Sequence, residues 1–499
     1  MKHSKPERGT MNQMNLFPIR GLYMAIISIN LFVACTRKDT DVIDHIQGEI
    51  AGEVTQNSVI LQSRLTQGSI SKDGDVPGME GFACFEISTT PDFEKSFKTQ
   101  WIEAISENDY IVKTKVTDLR SGTRYYYRLL YGPNIGSYQA GSSNTFGTCP
   151  ESTVEEEVSF VVVTGMNYSK FHFGVDSTGK RAYTGEDKEL GYPGLATILQ
   201  MKPDFFVGTG DNVYYDFPPK ARVQTQSGLR KKWHQQFVQP RYKKLFSQVP
   251  TYWEKDDHDH RYNDCDTAGT KKPSNRLGIQ TFVEQLPIVD PNEKTPKTYR
   301  THRINSLLQI WLVEGRDYRS PNDMPDGPEK SLWGKDQNDW LKRTLLESDA
   351  TFKILISPTP LVGPDDAYKK DNHTNPLGFR YEGNTFFEWL TANGFLDKNF
   401  CILCGDRHWQ YHSAHPSGFE EFSCGALVDA NSRLGRKPGD PESTDPEGLI
   451  TQHYTQEEKS GGFLRVIVKP DRFRPGANAT FQFFDEKGVL LYMVEKRTR

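Results

Sequence analysis

Acidic and histidine residues follow three short apolar segments of this 499-residue chain. Gly210 and Asp211 follow the apolar run at residues 205–207, after Gly208 and Thr209. The second acidic stretch is residues 256–259 (Asp-Asp-His-Asp), and the third is residues 405–408 (Gly-Asp-Arg-His). Because strand ends converge at one edge of an α/β sheet, we expect these side chains to meet there. Carboxylates and imidazoles in such a group are suited to a pair of divalent or trivalent cations.

Four of these side chains are the candidate metal ligands. Asp211 is predicted to bridge two cations, because hard oxygen donors suit such ions. Asp257, Asp406 and His408 are predicted to complete the two sets of ligands. A structural role is the alternative for each residue taken singly, since Gly-Asp turns are common and Asp257 can cap a helix. The acidic run around Asp257 favours metal binding, because packing like charges together is costly unless cations or solvent screen them.

The groups predicted to act on the substrate accompany these ligands. His258, inside the acidic run, is predicted to protonate a leaving oxygen or to stabilise charge in the transition state. Arg316 carries a planar guanidinium that can bind two oxygens of a phosphate or a sulfate. Asn167, after the apolar segment at residues 158–163, and His373 are the other predicted substrate contacts.

The first 35 residues have the features of an export signal. Arg20 precedes an apolar stretch at residues 22–34, which is too short to span a bilayer as a stable helix. Small residues then precede Cys35, an order that resembles the bacterial lipoprotein signal. We therefore expect lipidation at Cys35, a stalk at residues 36–48 and a location in the cell envelope of a bacterium, anchored on the periplasmic side or at the cell surface. Ordinary signal cleavage and an uncleaved anchor are the alternatives.

Composition restricts the partners and the cysteine chemistry. The net charge of -4 and the pI near 6.3 give no indication of nucleic-acid binding. Of seven cysteines, six remain if Cys35 is lipidated. Export permits disulfides, but the sequence favours no particular pairing. Cys401 and Cys404 lie in one apolar run, which predicts buried strand cysteines rather than a metal or redox pair.

Residues 49–150 have the pattern of a small all-β domain. Residues 59–65 and 110–116 alternate apolar and polar side chains, with turn-rich stretches between such runs. The run from Leu119 to Tyr125 resembles the corner of fibronectin type III sandwiches, where a tyrosine hydroxyl contacts nearby backbone. We predict a fibronectin III-like β-sandwich with a structural role, and sugar binding is the alternative.

Residues 155–499 alternate short apolar strands with helical segments. This order predicts βαβ units and a largely parallel sheet that is covered on both faces. Strands are expected at residues 158–163, 307–313 and 352–356, among others. Helices are expected at residues 194–200, 231–246, 337–346 and 386–393.

Four motifs together resemble those of the alkaline phosphatase D (PhoD-like) metallophosphoesterases. They are residues 210–215 (Gly-Asp-Asn-Val-Tyr-Tyr), 256–259, 316–319 (Arg-Asp-Tyr-Arg) and 405–408. The resemblance covers nearly all of the chain after the stalk, because that family also has an N-terminal fibronectin-like sandwich. It implies a small all-β sandwich followed by a four-layer α/β/β/α metallophosphatase domain. It also implies hydrolysis of phosphomonoesters or phosphodiesters by a metal-bound hydroxide.

The resemblance further implies two or more metal ions. Iron with calcium is the expected set, and zinc, manganese and magnesium are alternatives. Tyr214 falls where the family has a tyrosine ligand for ferric iron. The chain departs from the family at Gly165, where an iron-binding cysteine is common, and at Glu314, where the family tends to have aspartate. The missing thiolate favours a different metal or a lower charge on the site.

Three functional hypotheses follow from these patterns. The first is a lipid-anchored, metal-dependent phosphoesterase. The second is a hydrolase of sulfate or phosphate esters on polysaccharides, because sulfate and phosphate are both tetrahedral oxyanions that the motifs do not distinguish. The absence of a Cys-x-Pro-x-Arg signature argues against the common sulfatase mechanism. The third is a non-catalytic surface protein that binds a glycan or a partner through its sandwich.

Overall fold

The computed structural model describes residues 42–176 and 178–498, which belong to one compact unit. The predicted leader with Cys35, and residues 36–41 of the predicted stalk, lie outside the described residues. Within the described residues, none of the helices combines the length and the apolar character that crossing a membrane requires.

The N-terminal region is built from β-strands, as predicted. The predicted corner is present, because the Tyr125 hydroxyl accepts a hydrogen bond of 2.8 Å from the backbone N–H of Arg120. The Tyr125 ring stacks on Phe146, with 5.4 Å between the ring centroids. The strands are β1 (Ile50–Gly52), β2 (Val59–Arg64), β3 (Gly81–Ser88), β4 (Ser96–Lys98), β5 (Ile102–Ala104), β6 (Ile111–Val116), β7 (Arg124–Asn134), β8 (Ser137–Ala140) and β9 (Asn144–Gly147).

The second region alternates strands and helices. Its strands are β10 (Val158–Val163), β11 (Phe205–Thr209), β12 (Thr251–Glu254), β13 (Arg300–Arg303), β14 (Leu308–Leu312), β15 (Phe352–Ser357), β16 (Phe400–Cys404), β17 (Gln410–Ala414), β18 (Glu420–Cys424), β19 (Thr451–Thr455), β20 (Gly462–Pro470), β21 (Ala477–Asp485) and β22 (Leu490–Arg497). Its helices are α1 (Tyr168–Phe173), α2 (Pro193–Met201), α3 (Gln226–Phe237), α4 (Pro240–Phe246), α5 (Asn275–Gln285), α6 (Lys335–Glu347) and α7 (Arg380–Ala392). Short 3₁₀ segments cover Ser106–Asn108, Lys188–Leu190, Pro219–Ala221, Phe395–Asp397 and Asp429–Asn431.

Two sheets pack face to face between layers of helices. The first sheet has the strand order β22-β21-β20-β10-β11-β12-β1-β2-β6, and the second has β13-β14-β15-β16-β18-β17-β19. Val162 of β10 and Ile356 of β15 pack in the core between the sheets. Val161 packs in the core formed with helices on the first sheet, and Leu355 in the core formed with α6 and α7. Strands covered on both faces need continuous apolar sequence, and the predicted α/β/β/α arrangement is confirmed.

Part of the N-terminal region belongs to the first sheet. Gly52 of β1 aligns in parallel with Thr251 of β12, and β2 and β6 continue the sheet beyond β1. The Nζ of Lys113, on β6, donates hydrogen bonds of 2.7 to 3.0 Å to three backbone carbonyls at the end of α5. Strands from both sides of the predicted domain boundary near residues 150–155 therefore belong to the same sheet.

One predicted helix is two helices in the structure. Residues 231–246 were expected to form a continuous helix, but α3 ends at Phe237 and α4 begins at Pro240. Proline has no N–H donor and fits the first turn of a helix better than its interior, so Pro240 starts a new helix.

The cysteines of the described residues are buried free thiols. Cys401 and Cys404 both lie on β16, which confirms that they are buried strand residues. Burial, the main cause, raises the pKa of the Cys401 thiol to about 12. The thiol is therefore protonated at neutral pH and is not a nucleophile.

Replacing the corner tyrosine tests the N-terminal fold. Tyr125→Phe removes the hydroxyl that accepts the Arg120 hydrogen bond, and we expect it to lower the free energy of unfolding by about 1 kcal/mol. Tyr126→Phe is the matched control, because Tyr126 lies on the same strand and is only half-buried. Urea unfolding followed by tryptophan fluorescence measures both variants. Equal stability of the two variants would contradict the role of the corner.

Candidate metal centre

Two aspartates at the ends of central strands have left-handed backbone conformations. Asp211 follows β11 and Asp406 follows β16, each with a φ of 54°. Positive φ is uncommon for residues other than glycine and stores strain, which is typical of functional sites. Gly210 allows the first turn, because a Cβ at this position would lie 2.5 Å from the Cβ of Asp256. Both turns place a carboxylate at the carboxyl end of a strand, as the sequence predicted.

The two turns approach each other because a glycine leaves room between the sheets. A Cβ on Gly405 would lie 2.3 Å from the backbone oxygen of Thr209, so no larger residue fits at that position. His408 follows the same turn, and its Nε2 lies 3.1 Å from Oδ2 of Asp211. Two predicted ligands from different sheets therefore meet.

Asp211, Asp257 and His258 form a first group whose ligand atoms all lie within 4.8 Å of one another. The Oδ2 of Asp211 accepts a hydrogen bond of 2.8 Å from the Tyr214 hydroxyl. Its Oδ1 is buried and has no hydrogen-bond partner among the described residues. A buried carboxylate oxygen without a donor is costly unless a cation binds it. The first group is thus a candidate site for a metal ion.

Asp257 also belongs to a second group, with Asp264 and Asp371. The ligand atoms of these three aspartates again lie within 4.8 Å of one another. The Oδ1 of Asp371 is buried and lacks a hydrogen-bond partner in the described part of the chain. Asp257 is therefore the residue shared by two groups, a position that the sequence analysis assigned to Asp211.

Sequence reasoning missed three residues of this centre. Asp371 lies two positions before the predicted substrate contact His373, so the loop was recognised but Asp371 was not selected as a ligand. Asp264 follows the acidic run by several residues and has no apolar strand in front of it, so no local pattern marked it. The third residue, Asp216, contacts His258 and was not distinguished from other loop aspartates.

Arg316 is placed differently from the expectation that it binds substrate. Its guanidinium is fully buried, with Nε 2.6 Å from Oδ1 of Asp256 and Nη2 3.0 Å from Oδ2 of Asp371. Its Nη1 donates to the backbone oxygen of Cys265 at 2.9 Å. Each of the three nitrogens has a protein acceptor and the guanidinium is shielded from solvent, so the geometry supports a role in positioning Asp256 and Asp371 rather than direct contact with a phosphoryl group.

Further buried cations neutralise carboxylates from neighbouring loops. Lys369 forms an ion pair with Asp264. Arg407 is fully buried and pairs with Asp365, and it also contacts the predicted ligand Asp406. The Asp406 carboxylate thus contacts one protein cation, and it lies outside the two groups of candidate ligands.

Concentrated negative charge shifts the pKa of the central groups. The pKa of Asp211 is raised to about 7, chiefly by burial and also by the Asp257 carboxylate, while His258 acts in the opposite direction. Burial lowers the pKa of His258, but the carboxylates of Asp257 and Asp216 outweigh it and raise this pKa to about 10. Bound cations would favour the ionised carboxylates, so metal binding would release protons from this centre.

Asp216 orients the His258 ring. The Nδ1 of His258 lies 2.7 Å from Oδ1 of Asp216, and its ring packs against Tyr214 with centroids 4.2 Å apart. Because Nδ1 is bonded to Asp216, Nε2 is the nitrogen that remains for a metal or a substrate. The predicted catalytic histidine therefore has a fixed orientation beside the first group.

The two other predicted substrate contacts have different surroundings. Asn167 is buried, and its Oδ1 accepts a hydrogen bond of 2.9 Å from the backbone N–H of Lys170, whereas its Nδ2 has no partner in the described residues. The Nε2 of His373 lies 2.9 Å from Glu382, and its ring packs against Trp333. His373 lines a separate cleft of about 600 Å³ beside α7, which none of the grouped aspartates lines.

The absence of a side chain at position 165 has a structural reason. Gly165 has a φ of 68°, and a Cβ there would lie 2.8 Å from the Cβ of Ala426. The same Cβ would lie 3.2 Å from Nδ2 of Asn431, which donates a hydrogen bond of 2.7 Å to the Tyr214 hydroxyl. The two groups of ligands consist of carboxylates and one imidazole. This set fits hard cations without a thiolate.

Family profiles match most of the chain. The family described as PhoD-like phosphatase matches residues 160–470, and its N-terminal domain matches residues 37–147. Alkaline phosphatase D of Bacillus subtilis (strain 168) is 21% identical over 458 residues, which are 86% of this chain and 76% of the relative. Tartrate-resistant acid phosphatase type 5 of Mus musculus is 24% identical over 281 residues, 55% of this chain and 74% of the relative.

Solved structures share the fold. The structure of PhoD superposes with a TM-score of 0.69 at 17% identity, covering 91% of this chain and 92% of that one. A purple acid phosphatase from yellow lupin (Lupinus luteus) seeds superposes with a TM-score of 0.58 at 12% identity, covering 90% of this chain and 73% of that one. The predicted family and fold are thereby confirmed.

Removing the shared carboxylate tests the metal centre. Asp257→Asn removes a charged ligand from both groups, so we expect metal affinity to fall by more than about tenfold. About tenfold is the smallest loss typical of changing a residue that only hydrogen-bonds to a metal ligand, and losing a ligand itself should cost more. Elemental analysis of the dialysed protein measures its metal content. Asp339→Asn, an exposed member of an α6 ion pair, is the control and should retain the wild-type content. Unchanged metal content in Asp257→Asn would contradict the assignment.

Proposed function

Because this chain belongs to the PhoD-like phosphatase family, we propose that it hydrolyses phosphate esters at the two groups of acidic residues that Asp257 joins. The observation that carries the proposal is the adjacency of these groups, each with a buried carboxylate oxygen that has no donor among the described residues. Two cations a few ångström apart suit in-line displacement at phosphorus. Metal-dependent phosphoester hydrolysis is therefore the reaction of this centre.

The ligand set favours hard cations. Iron and calcium are the first candidates, and zinc, manganese and magnesium are the alternatives. When bound, such ions polarise phosphoryl oxygens and lower the pKa of water. Asp211 and the shared Asp257, with Tyr214 and His408 beside Asp211, would hold one ion, and Asp257 with Asp264 and Asp371 would hold another.

The protein groups around the ligands supply proton transfer and positioning. His258 is proposed to donate a proton from Nε2 to the leaving oxygen, because the Asp216 carboxylate accepts a hydrogen bond from Nδ1–H and stabilises the charged ring. Arg316 holds Asp256 and Asp371 in place through its buried ion pairs. A fixed arrangement of this kind lowers the reorganisation that the reaction requires.

The same proposal includes an envelope location. The apolar stretch at residues 22–34 and the small residues before Cys35 support lipidation of that cysteine and anchoring to a bacterial membrane. The proposed substrate is a phosphate ester located in the cell envelope or outside it. A phosphorylated or sulfated glycan is the alternative substrate.

Hydrolysis of chromogenic esters tests the activity. The wild-type protein is expected to hydrolyse 4-nitrophenyl phosphate or its bis(4-nitrophenyl) diester, and chelation is expected to abolish turnover until metal is restored. Asp211→Asn is expected to lower turnover by about a hundredfold or more, because a charged ligand is lost. Asp339→Asn serves again as the control. Full activity of Asp211→Asn with full metal content would exclude this centre, and release of sulfate alone from 4-nitrophenyl sulfate would identify a different ester.

Lipidation is tested by labelling. Cells that express the full chain are grown with radiolabelled palmitate. We expect the wild-type protein to become labelled and Cys35→Ala to remain unlabelled, because the Cys35 thiol is the predicted acceptor of the lipid. Thr40→Ala, in the predicted stalk, is the matched control and should be labelled. Labelling of Cys35→Ala would contradict the assignment.

A further inference from the structure

Lys170, on α1, carries a positive charge at the edge of the metal centre. In the described part of the chain, no carboxylate forms an ion pair with it. Its Nζ donates one hydrogen bond of 2.7 Å to Oδ1 of Asn431 and lies 5.3 Å from the centroid of the Phe217 ring. Because an ammonium group has three N–H donors, two remain for a ligand.

A chain of hydrogen bonds fixes Lys170 relative to the ligands. The Nδ2 of Asn431 donates to the backbone oxygen of Gly165 at 3.1 Å and to the Tyr214 hydroxyl at 2.7 Å. These acceptors determine which end of the amide is Nδ2, so Oδ1 faces Lys170. The Tyr214 hydroxyl in turn donates to Asp211. Three successive hydrogen bonds thus connect the ammonium group to a candidate metal ligand.

The neighbouring arginines differ from Lys170 in having anionic partners. Arg181 pairs with Asp429, and Arg433 pairs with Asp366. Burial lowers the pKa of Lys170, the nearby Asp211 carboxylate raises it, and both arginines lower it further. Carboxylates and arginines thus both act on Lys170 from a distance, but no carboxylate of the described residues contacts its ammonium group, which remains able to pair with an added anion.

We propose that Lys170 binds a non-esterified phosphoryl oxygen and makes the centre prefer dianionic phosphate monoesters to monoanionic diesters. The proposal rests on the proposed function, because it takes the substrate to be a phosphate ester. At mildly alkaline pH a monoester carries two negative charges and a diester one, so a cation beside the phosphoryl group contributes more to binding the monoester. The buried Nδ2 of Asn167, which lacks a partner among the described residues, provides a second donor at the start of the same helix.

Substitutions that remove the charge test this selectivity. For Lys170→Met, we expect kcat/KM for 4-nitrophenyl phosphate to fall about ten- to hundredfold, which is the range for losing a hydrogen bond to a charged group. We expect kcat/KM for the bis(4-nitrophenyl) diester to fall less. Lys170→Gln keeps a donor for Asn431 without the charge and should lose the same selectivity, whereas Lys170→Arg should restore part of it. Lys188→Met is the control, because Lys188 donates to the backbone oxygen of His172 and should leave the ratio unchanged.

Binding of inorganic phosphate gives a readout that does not depend on turnover. Calorimetric titration of the metal-loaded protein should show a dissociation constant about tenfold higher for Lys170→Met, with unchanged metal content. Equal losses for monoester and diester, or unchanged phosphate affinity, would overturn the proposal. If the wild-type protein hydrolyses no ester, the proposed function fails, and the phosphate titration then decides whether Lys170 binds the anion.

Discussion

Buried negative charge at the edge where the two sheets meet is the constraint that the rest of the structure satisfies. Asp211, Asp256 and Asp257 are all shielded from solvent. Carboxylates in such an interior are stable only when cations or hydrogen-bond donors compensate them. Arg316 and Lys369 supply fixed compensation through buried or half-buried ion pairs. The carboxylate oxygens that have no donor in the described part of the chain are those available to metal ions. The protein's own cations therefore hold the ligands in place and leave these oxygens free to bind metal.

Neither sheet contains this centre alone. The first sheet presents Asp211 and the acidic run after β12, whereas loops of the second sheet present Asp371 and His408. The close approach of Gly405 to the end of β11 allows the two sets to meet. The N-terminal strands β1, β2 and β6 lengthen the first sheet and cover the edge of β12. An uncovered edge would expose unpaired backbone groups, so the N-terminal region has a structural role for the catalytic region.

Local features of the sequence predicted a large part of the fold and the centre of the site. An apolar run that ends in a glycine turn and an acidic residue identified Asp211, and the acidic run identified Asp257 and His258. The same turn pattern also selected Asp406, which lies outside the two groups of candidate ligands. The fibronectin-like corner at Tyr125 was likewise recognised from neighbouring residues. Each of these patterns depends on a few consecutive side chains, which is why periodicity and turn chemistry are sufficient to find them.

The sequence by itself therefore determined which strands end in candidate ligands and that they belong to a layered α/β fold. Tertiary structure alone decided that Asp257 is shared between two groups, that Asp264 and Asp371 complete the second, and that Arg316 is buried. It also decided that β1 joins the first sheet, beside a strand about two hundred residues further along the chain. The physical reason is that burial, ion pairing and strand pairing between distant segments depend on how loops pack, and no short-range period encodes that packing. The position of Lys170 beside this centre has the same origin.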